Sequence, residues 1–301
     1  FARRCRPGDL ANGSISIYSG NVNPASAPSA QGSLATLSFT YKTFSVIGEL
    51  GRNVKELRKS IEADAVFRLF AGSRDVFLAS LAHTRWASVG SITEENCHPI
   101  NSHTVKNNSG KNGCSISVVL NGDIDNYQSL REKLEAGDEM IAPELTTDTK
   151  IIPLQIRKYL SEGKALAEAF RLAVNDFEGS HAISMISDLD PGKVFLALKG
   201  SGQTIYIGLA GDKYIISSEL YGLVEATPWF IQMDGEKPSQ ADGSGRAGQI
   251  FILDQDSEGW LSGIDAFYYD GTQIKLDRSN IRKAEITTRD IDRSHYPHFF
   301  M

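Results

Sequence analysis

The sequence is short of several things, and each shortage closes off a class of protein. Cysteine is scarce: among 301 residues only Cys5, Cys97 and Cys114 occur. An odd number at irregular intervals is neither a disulfide framework nor a metal-binding spacing, and it fits a reducing cytoplasm. Positive charge is not in excess. A net charge of −6 gives no electrostatic reason to expect nucleic acid or an anionic membrane as partner. No apolar run approaches the length needed to cross a bilayer. The opening Phe1-Ala-Arg-Arg-Cys-Arg-Pro is positively charged with no apolar stretch behind it, so it is not a signal peptide. No internal repeat is found.

What is present is an ordinary globular composition, long enough for one large domain or two small ones. The chain is organised around Leu81–Gly90, read as an apolar strand that ends in Arg85, Trp86 and a glycine turn. Two later stretches answer it, Leu120-Asn-Gly-Asp-Ile-Asp-Asn126 and Thr146-Thr-Asp-Thr149. Each lies at the end of an expected regular element, where polar groups can converge on a small molecule. Their chemistry suits a free amino acid. An arginine fork matches a carboxylate, an aspartate matches an ammonium, and Asn-Gly can offer N–H donors to a developing oxyanion.

In chain order, Ser14–Ser19 and Leu37–Leu50 have β character, with a Pro/Ser/Ala/Gly-rich loop at Asn21–Ser33. Asn53 with Glu56 reads as a capped helix start. Phe77–Ala82 and Cys114–Leu120 read as strands. Helices are expected after Asn126, after Thr147 or Asp148, and over Ala165–Asp176. From His181 the pattern turns to short apolar runs separated by Gly, Asp and Pro: His181–Ser187, Lys193–Leu198, Thr204–Leu209, Lys213–Ser217, Trp229–Met233 and Gln249–Leu253. A polar insertion spans Asp234–Ala247, and Asp270-Gly271 joins an expected hairpin. Strands, then helices, then strands argue for an α+β fold with antiparallel sheets.

Several features have plain alternatives. Arg85-Trp86 could be a structural stack, Asn121-Gly122 a hairpin turn, and Asp148 only a helix cap. Cys97 and His98 are adjacent in extended chain and so face opposite sides, which favours a buried cysteine over a thiolate–imidazole pair. Gly243–Gly248 matches the dinucleotide fingerprint in form, but it lies before a strand, not after one, and is set aside.

Together the motifs resemble the glutaminase domains of class II (N-terminal nucleophile) glutamine amidotransferases. Those domains carry Thr-Arg-Trp-Ala-Thr-His-Gly, Asn-Gly-x-Ile-x-Asn and Thr-Asp-Thr-Glu. Here the corresponding runs are Thr84-Arg-Trp-Ala-Ser-Val-Gly90, Asn121-Gly-Asp-Ile-Asp-Asn126 and Thr147-Asp-Thr-Lys150. Asn96-Cys-His-Pro99 is similar to the family's Asn-Ala-His-Pro. The tail Tyr296-Pro-His-Phe-Phe-Met301 resembles the stretch that leads into the sugar isomerase half of glucosamine-6-phosphate synthases.

The resemblance implies a four-layer sandwich of two antiparallel sheets flanked by helices, apparently lacking its first strand and helix. It implies a glutaminase domain over 1–285 and, over 286–301, the start of a linker to an isomerase module outside the chain. L-glutamine is then the substrate and a sugar phosphate the acceptor of its ammonia, with no cofactor or metal and with a homodimer compatible. By resemblance Arg85 holds the glutamine carboxylate and Asp148 its ammonium. Asn121 and Gly122 form the oxyanion hole, and Trp86, Ser88 and His98 line the pocket. The family's nucleophile is a cysteine at the mature N-terminus, with its own α-amine as base. Here Phe1 stands first, and Cys5 aligns with the end of a helix that follows the family's nucleophile strand, so the nucleophile is not found. Val89 and Lys150 also depart from the family's histidine and glutamate. The alternatives are a non-catalytic amino-acid-binding domain and another class II amidotransferase.

Overall fold

The computed structural model describes residues 15–19, 35–44, 51–73, 78–85, 87–103, 114–137, 139–239 and 247–285. The chain divides into two compact units, Phe1–Phe177 with Ser184–Gly192, and Glu178–Ile183 with Lys193–Met301.

In the first unit, β1 (Ile15–Ser19) pairs antiparallel with β2 (Ala35–Phe39). Helices α1 (Arg52–Ala63) and α2 (Ala65–Ala71) follow. Helix α1 starts from Gly51, whose φ is +78°, and Asn53 lies inside the helix instead of capping it. The true cap of this region is Asp64. Its Oδ1 accepts from the N–H groups of Val66 and Phe67, both at 2.9 Å, closing the orphan donors at the start of α2. Phe67 packs edge-on against Phe39, which sets α2 on β2.

The expected strand ahead of Arg85 is not one. Residues 78–85 form no ladder, and Leu78 is 61% exposed, so this segment lacks a buried face to pin it. Short β3 (Ile100–Asn101) pairs antiparallel with β4 (Ile116–Gly122). In β4 the buried residues Ile116, Val118 and Leu120 alternate with half-buried Ser117 and Val119, the period of two that fixes a strand's register. Helices α3 (Tyr127–Ala136), α4 (Ile151–Ser161) and α5 (Leu166–Asn175) complete the unit. Helix α4 packs on α3, α5 and β4, and its first six residues, Ile151–Ile156, are all buried. Pro153 sits in its first turn, where a missing N–H breaks no helical bond.

The unit boundary falls within β5 (His181–Ser187). On the first-unit side the strand order is β5-β4-β3. On the second it is β11-β10-β6-β5, with β6 (Lys193–Lys199), β10 (Gln249–Asp254) and β11 (Ile264–Tyr268). A further sheet has the order β12-β9-β7-β8, from β7 (Tyr206–Leu209), β8 (Tyr214–Ser217), β9 (Trp229–Gln232) and β12 (Arg282–Lys283). Strand β10 pairs antiparallel with β6 and β11, and β7 with β8 and β9. Leu196, Leu198, Ile207, Ile231, Phe251 and Leu253 bury their side chains in one cluster of this unit. The mixed composition, with antiparallel sheets and helices, is that of the expected α+β class.

The second unit amends two further expectations. The Asp270-Gly271 turn forms, but its far arm makes only an isolated bridge, Phe267↔Gln273, and no second strand. The polar insertion begins inside the fold: Gly235 is buried, its carbonyl accepts from the Gly200 N–H at 2.9 Å, and a Cβ there would lie 2.3 Å from the Gly200 oxygen. Residues 240–246 of that insertion, most of the fingerprint-like Gly243–Gly248 run among them, lie outside the described residues.

Candidate functional site

Strand β4 runs on through Asn121 and Gly122 and then gives way to α3, so Asn-Gly is not a hairpin turn. Gly122 has a φ of +99°, where an L side chain is strained. Asn121 is exposed, and its amide has no protein partner among the described residues. Two residues on, the Ile124 N–H donates to Asp148 Oδ2 at 3.0 Å, which ties the end of β4 to the 3-10 turn Asp148–Lys150. Asp148 is 4% exposed. Its Oδ1 accepts from the Thr149 N–H at 2.8 Å and from the Thr147 hydroxyl at 3.3 Å. Burial raises the Asp148 pKa and Asp123 adds to that by charge repulsion, while the N–H groups of Ile124 and Thr149 oppose it.

The Arg85 segment is fixed from three sides. The guanidinium donates through Nη1 to the Ser91 carbonyl at 3.1 Å and through Nη2 to the Val89 carbonyl. Its own turn therefore orients the fork, and N–H groups are left over for a ligand. Burial lowers the Arg85 pKa, and the negative charge of Asp148 opposes that. Gly90, with φ +85°, lies so close to the next segment that a Cβ would sit 2.8 Å from Thr146 and Thr147 backbone atoms. The Ser91 N–H donates to the Thr146 hydroxyl at 2.9 Å. The Ser88 hydroxyl donates to Asp123 Oδ1, joining this turn to the loop after β4.

Buried Asn96 makes the second tie. Its Oδ1 accepts from the Thr146 and Thr147 N–H groups at 2.9 and 3.0 Å, and its Nδ2 donates to the Glu144 carbonyl at 2.9 Å. The sequence reading had noted Asn96 only as part of a motif. His98, also buried, shares a hydrogen bond between Nε2 and the Thr149 hydroxyl at 2.9 Å, and its ring lies 4.5 Å from that of His83. Burial first, then the positive charges of His83, Arg85 and Lys42, hold His98 neutral by pushing its pKa down to about 3.

Lys150 has a place in the fold that the sequence alone does not give it. Only 1% exposed, it donates from Nζ to the carbonyls of Asn101 and His103, both at 2.6 Å. Burial, then Arg157 and Lys42, push its pKa down to about 7. A neutral amine still carries two N–H donors, so both carbonyls can be served without a buried charge.

The two described cysteines are unsuited to nucleophilic work. The Cys97 Sγ lies against the Thr93 carbonyl at 3.3 Å, and burial raises the pKa of both Cys97 and Cys114. A thiol held protonated is a poor nucleophile. Among the described residues no group of three or more His, Cys, Asp or Glu is placed to hold a metal ion. No helix among them is long and apolar enough to cross a membrane.

Of the residues singled out from sequence, Arg85, Ser88, His98, Gly122 and Asp148 fall within this one hydrogen-bonded region of the first unit, and Asn121 adjoins it. Trp86 lies outside the described residues.

Direct ties from Ile124 to Asp148, from Ser91 to Thr146 and from Ser88 to Asp123 thus gather three separate motifs, and comparison with known proteins shows what the chain is similar to. Residues 106–225 match the glutamine amidotransferase domain family. The chain is also similar to glutamine–fructose-6-phosphate aminotransferases (isomerizing). It is 35% identical to the one from Methanothermobacter thermautotrophicus over 178 residues, 58% of this chain and 26% of that protein. With the Streptococcus pyogenes protein it shares 29% over 258 residues, 85% of this chain and 35% of that one. The chain therefore spans about a third or less of the length of these relatives. A solved structure of glutamine phosphoribosylpyrophosphate amidotransferase from B. subtilis aligns with 62% of the chain and 34% of its own, at 19% identity and a TM-score of 0.46.

Proposed function

We propose that this chain is the glutamine-hydrolysing part of a glucosamine-6-phosphate synthase-like amidotransferase. The carrying observation is the bond from Ile124 to Asp148, which sets a carboxylate beside the Asn121-Gly122 donors, with the Arg85 turn fastened to the same segment through Ser91 and Thr146. On this reading Arg85 takes the α-carboxylate of glutamine and Asp148 takes its α-ammonium. As in the family that the chain resembles, the thiolate of a cysteine at the mature N-terminus, not found among residues 1–301, attacks the side-chain amide carbon. Asn121 and the Gly122 N–H receive the charge that builds on the amide oxygen. Ammonia leaves as its C–N bond breaks, and water then cleaves the thioester to glutamate. The base is the α-amine of that cysteine, whose ordinary pKa of about 8 leaves much of it free to accept a proton near neutrality. His98, held neutral, and Ser88 line the pocket beside Trp86.

The ammonia passes to a sugar phosphate in an isomerase module, for which residues 1–285 act as the donor domain and 286–301 as the lead-in. Unpaired cysteines suit a reducing cytoplasm. The test is release of glutamate and ammonia from glutamine by the full-length protein. A folded full-length protein that releases neither removes the proposal.

A second reading, an amino-acid-binding domain without turnover, is favoured by Lys150 and Val89. Lys150 is spent on backbone carbonyls, and Val89 contributes only its carbonyl to Arg85. Glutamine binding measured by calorimetry with no ammonia release would support this reading over the first.

A further inference from the structure

We infer that Asp123 is a specificity-determining residue of this site, a second carboxylate that meets the α-ammonium of a bound free amino acid alongside Asp148. This rests on the amino-acid site proposed above and adds a residue to it.

The reason lies in a count of acceptors. An ammonium presents three N–H donors. Asp148 is already committed to the protein: Oδ1 receives the Thr149 N–H and lies within reach of the Thr147 and Thr149 hydroxyls, and Oδ2 receives the Ile124 N–H. With about two lone-pair directions per oxygen, one direction on Oδ2 is left. Asp148 alone can satisfy one ammonium N–H and leaves two unpaired in a site it shares with buried Asn96 and His98.

Asp123 supplies what is missing. It stands between Gly122, the donor proposed for the amide oxygen, and Ile124, whose N–H is bonded to Asp148. Its side chain is aimed by a hydrogen bond from the Ser88 hydroxyl to Oδ1, and Ser88 is three residues from Arg85. Oδ2 has no protein hydrogen bond among the described residues. Asp123 is half-buried, so it keeps access to a ligand. The two carboxylates act on each other through their charges, and repulsion from Asp123 adds to the cost of ionising buried Asp148. A cation between like charges relieves that repulsion, so the empty pair favours an ammonium over a neutral group. The chemistry selects α-amino acids over the same diacid skeleton without nitrogen.

The experiment uses the full-length protein and two ligands that are not consumed, L-glutamate and glutarate, with binding measured by calorimetry. Glutarate keeps both carboxylates of glutamate and lacks only the ammonium. Asp123→Asn should weaken glutamate roughly 10- to 100-fold, the scale of one lost charge-assisted hydrogen bond, and leave glutarate unchanged within about twofold. Asp123→Glu should recover part of the loss. Equal weakening of both ligands, or no weakening of glutamate, overturns the role of Asp123 while leaving the site in place. If the wild-type protein binds neither glutamate nor glutamine, the amino-acid site itself falls, and the role of Asp123 with it. Unchanged melting of Asp123→Asn separates loss of binding from loss of fold.

Discussion

Burial holds down the pKa of both Lys150 and His98, and each ties the stability of the site to pH. The folded pKa of Lys150 is depressed from 10.5 to about 7. A depressed pKa gives stability that is complete above the unfolded value and is lost as pH falls toward the folded one. Stability should therefore rise from about pH 7 to pH 9, where the unfolded chain binds the proton that the folded chain has released. Lys150→Met should flatten that rise in chemical denaturation, and an identical slope would show that the amine is not neutral in the fold. The same sign applies to His98, depressed from 6.5 to about 3. Its share of the stability is present above pH 6.5 and is lost as pH falls from there toward 3. His98→Asn should reduce the acid-side loss, read as the dependence of the melting temperature on pH.

At the scale of the element, the site depends on how closely the Arg85 turn approaches the segment before α4. Gly90 has the left-handed φ of +85°, and a Cβ would lie 2.8 Å from Thr146 and Thr147 backbone atoms, which cannot rotate away as a side chain could. Gly90→Ala should cost at least about 1–2 kcal/mol from backbone conformation alone. Because the turn must move, it should also weaken glutamate binding. A variant with wild-type melting and affinity would contradict this packing. Asn96 tests the other tie. Asn96→Ala leaves the Thr146 and Thr147 N–H groups without their acceptor, at about 1–3 kcal/mol for each one buried and unpaired. Asn96→Asp keeps that acceptor and loses the Nδ2 bonds to the Thr93 hydroxyl and the Glu144 carbonyl, so it should be the milder change. The reverse ranking in thermal melting would mean that the Nδ2 bonds to Thr93 and Glu144, not the Thr146–Thr147 pair, hold the segment.

For the whole molecule, ligand linkage gives the broadest check on the proposed site. A ligand that binds only the folded state, present at 100 times its Kd, stabilises it by about 2.7 kcal/mol. Glutamate should raise the melting temperature of the full-length protein by an amount that grows with the logarithm of its concentration. Glutarate should do so only at higher concentration, because the Asp123–Asp148 pair gains nothing from it. No shift with either ligand would argue against an amino-acid site.

Local pattern was enough to place most of the regular elements. The alternation in β4, the Pro153 helix start and the short apolar runs from His181 to Leu253 each encode their own period, and the structure follows them within a residue or two. The motif residues were legible for the same reason, since Gly90 and Gly122 mark positions with positive φ. What sequence could not supply were the ties across distance. Asn53 falls inside α1, which starts from Gly51 with no side-chain cap, while Asp64 caps α2 because its side chain meets the N–H groups of Val66 and Phe67. The segment before Arg85 has strand-like residues but forms no ladder among the described residues. Asn96 reaches residues about fifty positions away, and Lys150 reaches Asn101 and His103. A hydrogen bond needs its partner within about 3 Å, and only the folded chain decides which of many equally polar residues stands there.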